Sequence, residues 1–280
     1  RRFLMKYLTS LSNSIKIIKR FSRMIDSQMM IVTILSVVST YVCLRFKLAA
    51  DLPSSLIGIA VVFPVVFSIN AAYRRREEAL GYFADLKAHC MALYYAHRDW
   101  APKENRSLLF EKEFKDLLLL TFGKIHQYLR ISEENKTEED KSEGLYSVYC
   151  QFSDISKYHE KLRSAGVPAN EISRANQYLK GIMVDFEKLR NIRLYRTPVS
   201  LRAYSHIFLN TFPIIFGPFF ANISMKYYVS AGYFLAFLYS VILVSLDNIQ
   251  EELENPFDEK GEDDLRLDVR DECSTLMNEK

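Results

Sequence analysis

The sequence predicts an all-α chain that crosses a membrane four times. Three observations carry that expectation. Four long stretches hold no Asp, Glu, Lys or Arg, glycine and proline are scarce (9 and 8 in 280 residues), and the charged middle of the chain repeats its apolar residues at three- and four-residue spacing. Scarce glycine and proline favour long helices over strands and turns. The spacing is that of helices with one buried face.

The uncharged stretches are 27–44 (18 residues), 52–73 (22), 203–225 (23) and 227–246 (20). A helix needs roughly 20 apolar residues to span the hydrocarbon core. Buried core helices of soluble proteins normally keep one polar face, and runs such as IVTILSVVSTYVCL and YFLAFLYSVILV have none. A signal peptide fits poorly, because a second apolar span follows the first and no small-residue cleavage site is evident.

Orientation follows from the basic residues. Arg1, Arg2, Lys6, Lys16, Lys19, Arg20 and Arg23 precede the first span, Arg74, Arg75 and Arg76 follow the second, and Arg190, Arg193, Arg196 and Arg202 precede the third. The loop between spans three and four carries only Lys226. Both termini and the central block are therefore expected on the cytosolic side. The expected order is a basic interfacial helix (1–26), spans one and two (27–73), a cytosolic helical block (74–202), spans three and four (203–246) and an acidic cytosolic tail (247–280).

Within the block, EFKDLLLLTFGKIHQYL, YSVYCQFSDISKYHEKL and NEISRANQYLKGIMVDFEKLRNI read as helices, with a break at Val167-Pro168. The charged run 132–143 reads as a loop. Span two reads as continuing from Leu56 to about Trp100, which at 1.5 Å per residue projects roughly 30 Å beyond the membrane.

Composition and motifs exclude several functions. A net charge of +3, with signs mixed along the chain, does not suggest nucleic-acid binding. No P-loop, Rossmann fingerprint, nucleophile elbow or HExxH motif occurs, so the chain is not expected to be an enzyme. The four cysteines form no CxxC unit, and the five histidines offer no paired metal motif.

Three features remain. Ile59, Phe63 and Phe67 stand four residues apart on one face of span two. They either line a narrow apolar throat, which can gate ions by dewetting, or face lipid and a neighbouring helix. Arg74, Arg75 and Arg76 either concentrate anions at a pore mouth or anchor the span. The run from Asp247 through Asn255-Pro256-Phe257 to Asp268 is either a solvated acidic tail or a set of hard oxygen donors suited to Ca²⁺. Its spacing is not that of an EF-hand.

Together these residues resemble the bestrophin family. The likeness rests on Glu251-Glu252-Leu253-Glu254-Asn255-Pro256-Phe257 followed by Gly261-Glu262-Asp263-Asp264 and Leu265-Arg266-Leu267-Asp268. It extends to Asn70-Ala71-Ala72-Tyr73 with Arg75 and Glu78-Ala79, to Thr197-Pro198 with Arg202, Tyr204 and His206, and to the order of the four spans.

The resemblance implies a homopentamer in the lipid bilayer around a central pore lined by span two, conducting chloride, bicarbonate or other small anions. It implies that Ile59, Phe63 and Phe67 form the neck. It also implies Ca²⁺ as a cofactor, with the calcium clasp falling on Glu252, Asn255 and Asp263. Asp258-Glu259-Lys260 is inserted before Gly261, which makes Asp264 or Asp268 alternative late ligands. Glu252 stands where animal members have Gln. Some bacterial relatives pass cations, so a cation-conducting homologue is one alternative reading. A non-conducting membrane scaffold or regulatory subunit is the other.

Overall fold

The computed structural model describes residues 26–53, 55, 63–100, 108–130, 137–195, 199–259 and 264–278. Every regular element among them is helical: α1 (Ser27–Arg45), α2 (Phe63–Asp99), α3 (Leu108–Arg130), α4 (Glu138–Ser164), α5 (Ala169–Leu194), α6 (Val199–Lys226), α7 (Val229–Glu254) and α8 (Arg270–Asn278). They form two compact units. The first holds α1, α6, α7 to Glu252, and α2 as far as Ala72; the second holds the rest. The basic segment 1–25 and most of the first half of span two lie outside the described residues.

In the first unit, α1, the His206–Lys226 part of α6, and α7 are each long and apolar enough to cross a membrane. They coincide with the first, third and fourth uncharged stretches. The unit is turned inside out relative to a water-soluble domain. Ile31, Ile34, Ile214, Ile215, Phe234 and Phe237 face outward, while Ser36, Thr40, Ser68 and Ser240 are buried. An apolar surface of this kind suits lipid, not water. Two of the buried hydroxyls are satisfied within their own helices: Thr40 donates to the Ser36 carbonyl and Ser240 to the Ala236 carbonyl, each at 2.8 Å. The chain is a membrane protein.

The α1–α2 connection and the α6–α7 turn share one end of this unit. Lys226 pairs with Asp51 at 2.9 Å, and the Ala50 amide donates to the Pro218 carbonyl at 3.2 Å. Phe46, Tyr227 and Tyr228 are exposed beside these loops, the placement of aromatic rings at a membrane–water boundary.

The second unit is a helical bundle around one apolar core. Leu86 and Leu93 of α2, Phe114 and Phe122 of α3, Phe152 and Ile155 of α4, and Ile182 and Phe186 of α5 all meet there. Helix α4 starts at Glu138, inside the run read from sequence as a loop. The reason is a reciprocal cap: Thr137 accepts from the Asp140 amide (3.3 Å) and Asp140 accepts from the Thr137 amide (3.2 Å). At its other end Gly166 adopts φ 87. The Val167 amide then reaches the Leu162 carbonyl, and the Gly166 amide the Arg163 carbonyl, a paired C-terminal cap. Pro168 follows, and α5 begins at Ala169.

The acidic tail does not dangle in solvent. Phe257 is fully buried in the bundle core, and Leu265, Leu267 and Val269 bury alternate positions. Helix α8 then docks on α3. Tyr94 donates to the Met277 carbonyl at 2.7 Å, and Lys87 pairs with Glu272 at 2.9 Å.

The bundle also contains a buried histidine that must stay neutral. The His97 ring stacks on Phe114 at 3.5 Å and 12°, with His159 5.3 Å away. Burial pushes the His97 pKa down from 6.5 to about 3; the bond to the Leu93 carbonyl opposes this, and His159 adds to it. Below pH 6.5 the unfolded chain therefore binds a proton that the folded chain refuses, and stability falls as pH drops. His97→Leu is expected to flatten the melting-temperature slope between pH 6.5 and 4 relative to wild type. Identical slopes for the two proteins would refute a neutral, buried His97.

Candidate functional site

Helix α2 presents Phe63 and Phe67 on one face, as their spacing requires. Their rings meet edge-on, with centroids 4.4 Å apart at 69°. Both rings stand free of the unit's own packing, 60% and 54% exposed, while Val65, Ser68 and Ala72 on the opposite face are buried. The face that carries the two phenylalanines is therefore not packed against the described residues of this unit. Ile59, the third member of the expected neck, lies outside the described residues.

The basic triplet divides by role. Arg75 donates to the Ile192 carbonyl in the last turn of α5, where a cation complements the helix dipole. Arg76 pairs with Glu77 at 2.6 Å. Arg74 is exposed. Of the three, Arg74 is the one most directly presented to solvent.

The acidic segment is pinned to the bundle. The Leu265 amide donates to the Pro256 carbonyl at 2.9 Å. Glu259 takes His126 at 2.8 Å and Arg130 at 3.2 Å. Of the expected calcium donors, Glu252 is exposed, Asn255 and Asp264 are half-buried, and Asp263 lies outside the described residues. Asp268 is held at both oxygens by Arg270, at 2.9 and 3.0 Å. That guanidinium keeps the carboxyl below its ordinary pKa and occupies the oxygens a cation would need. Asp268 as it stands is engaged by Arg270.

A second donor set lies in the first unit, and the sequence did not reveal it. His206 near the start of α6 faces Asp247 and Glu251, one turn apart near the end of α7. His206 Nδ1 is 3.9 Å from Asp247 Oδ2, and His206 Nε2 is 3.5 Å from Glu251 Oε1. One ligand atom from each residue falls within 4.8 Å of the others. The absence of a paired-histidine motif hid this group, because its members come from two helices about 40 residues apart.

The fold and these positions define a helical membrane protein with an outward-facing aromatic pair and a bundle-anchored acidic segment. No family model and no curated protein matches the sequence. Solved structures do match. A bacterial bestrophin homologue from Klebsiella pneumoniae superposes with a TM-score of 0.69 at 18% identity, covering 89% of this chain and 94% of that one. A point variant of that homologue gives 0.70 at 19% identity, with 89% and 95% coverage. A crystal structure described as a membrane protein gives 0.68 at 19% identity, with 90% and 97% coverage. The chain has a bestrophin-like fold.

Proposed function

We propose that this chain is one subunit of a passive ion channel. Five copies surround a central pore lined by span two, with four spans per subunit and both termini and the helical block on the cytosolic side. The observation that carries the reading is the exposed Phe63–Phe67 pair on α2, in a chain whose fold matches a bestrophin homologue over 89% of its length. In a fivefold ring each position becomes a collar of five apolar side chains, and a narrow apolar collar resists wetting. Chloride or another small anion, bicarbonate included, is the proposed cargo, because exposed Arg74 and half-exposed Arg75 and Arg76 put positive charge just beyond the collar. Calcium modulation through Glu252, Asn255 and Asp263 or Asp264 belongs to the same proposal.

The test is reconstitution in a planar bilayer under a chloride gradient. Wild type is expected to pass current that reverses near the chloride potential. Phe63→Ala with Phe67→Ala is expected to raise it about tenfold, since removing roughly 1.4 kcal/mol of barrier changes a rate tenfold. Reversal at the cation potential would keep the channel and overturn the anion assignment. Silence from well-folded protein, with and without Ca²⁺, would favour a membrane scaffold. Current unchanged by the alanines would remove the two phenylalanines from the pore.

A further inference from the structure

We infer that His206, Asp247 and Glu251 form a binding site for a first-row divalent transition metal, with Zn²⁺ the best fit. The site joins α6 to α7 near the end of the first unit where α1 begins. It is far from the Asp51–Lys226 end: His206 and Lys226 lie 20 helical positions apart on α6, roughly 30 Å at the helical rise.

The spacing of the donors is the first argument. Asp247 and Glu251 are four residues apart, so both carboxylates project from one face of α7. His206 meets that face from α6 at 3.9 and 3.5 Å. These gaps exceed ordinary hydrogen-bond lengths, yet all three ligand atoms lie within 4.8 Å. Zinc bonds to nitrogen and oxygen are about 2.0–2.2 Å and arranged tetrahedrally, so donors on one ion stand roughly 3.3–3.6 Å apart. A rotation of the partly exposed His206 and Glu251 side chains that moves their ligand atoms by about 1 Å brings one ring nitrogen and both carboxylates to that spacing.

The second argument is Asp247 itself. It is 2% exposed, and its Oδ2 accepts no hydrogen bond from any described residue. Burying a carboxylate oxygen without a hydrogen bond is costly. This oxygen points toward His206 Nδ1, the place where a cation would compensate it. Asp26, which caps α1 by accepting from the Met29 amide at 2.7 Å, lies within electrostatic reach of Asp247 and adds negative charge.

Donor chemistry selects the ion. Imidazole nitrogen with carboxylate oxygen suits zinc and its first-row neighbours, whereas Ca²⁺ and Mg²⁺ take all-oxygen shells. This group shares no residue with the calcium donors discussed above.

The experiment uses the whole chain, purified in detergent, stripped with chelator, reloaded with Zn²⁺ and dialysed to remove unbound metal. Zn²⁺ retained per chain is measured by elemental analysis, and affinity by competition with a chelating dye. Co²⁺ serves as a spectroscopic substitute. Wild type is expected to retain one Zn²⁺ per chain against an excess of Ca²⁺, and to give a visible Co²⁺ ligand-field band. His206→Gln and Glu251→Gln are each expected to weaken Zn²⁺ at least about 100-fold, beyond the 10–100-fold that loss of an outer-shell partner costs. Both are partly exposed, so they decide the question even if Asp247→Asn fails to fold. No stoichiometric Zn²⁺ in wild type, or equal retention by both variants, would overturn the site. The readout involves no conduction, so a protein silent in the bilayer can still bear out the site, and a conducting one can still lack it.

Discussion

Phe186→Ala will destabilise the helical bundle by about 3–5 kcal/mol, the range for truncating a buried aromatic. Phe186 is fully buried on α5, at the point where three helices converge. Its ring lies 5.6 Å from Tyr128 of α3, and 5.7 and 6.3 Å from Phe152 and Tyr149 of α4. Deleting it removes transfer energy and also leaves a cavity that helices tied by three separate contacts cannot collapse to fill. The edge-on ring pairs are each worth about 0.5–1.5 kcal/mol beyond area. The protein supplies its own probe: Trp100 is the only tryptophan, and it packs 6.5 Å from Tyr178 of α5. Its fluorescence therefore reports on the bundle and not on the spans. For a unit of this size, the loss corresponds to a fall of about 10 °C in the bundle's melting temperature. Tyr146→Ala, at an exposed position of α4, is the control and should stay within about 0.5 kcal/mol of wild type. A fall of under 2 °C for Phe186→Ala would mean that the rings do not form a shared core.

The membrane helices were legible in the sequence because a bilayer excludes charge over a fixed thickness. The positions that end three of the four uncharged runs (Asp26 and Arg45, Arg202 and Lys226, Lys226 and Asp247) are close to the positions that bound α1, α6 and the apolar part of α7. Helix α4 starts inside a charged run whose density alone suggests a loop. The pattern Thr137-x-x-Asp140 was visible there, and it wins because each side chain satisfies the other's orphan amide. The fate of the arginines was not legible. Nothing local says that Arg75 will reach the Ile192 carbonyl, 117 residues away. Nor could Asp268 be seen to be taken by Arg270, although the two are neighbours in sequence. Two of the three members of the His206 group stand in sequence as the i, i+4 pair Asp247 and Glu251. The histidine that completes it arrives through packing of α6 on α7, which no local rule specifies.

Gly232→Ala will lower the stability of the first unit, although alanine is the better helix former by about 1 kcal/mol. Gly232 sits in the first turn of α7, against the end of α6. A Cβ built there would run into the Phe220 carbonyl and the Ser224 hydroxyl. The carbonyl is helical backbone and cannot rotate aside. The Ser224 hydroxyl is held by its bond to the Val229 carbonyl at 3.0 Å. The two helices must therefore separate, at the upper end of the 1–3 kcal/mol that overpacking costs. Gly217 gives a graded comparison. A Cβ there meets the side chains of Ser39 and Cys43, which can turn, so Gly217→Ala should cost less. Gly81, in the middle of α2, has nothing within 4 Å of the added carbon, so Gly81→Ala should stabilise by up to about 1 kcal/mol. Thermal stability in detergent, read as the monodisperse fraction surviving heating, should rank Gly81→Ala above wild type, then Gly217→Ala, then Gly232→Ala. Helices in a bilayer have no hydrophobic drive toward one another, so close backbone approach at small residues supplies much of their attraction. If Gly232→Ala proved as stable as wild type, α6 and α7 would not approach at this turn.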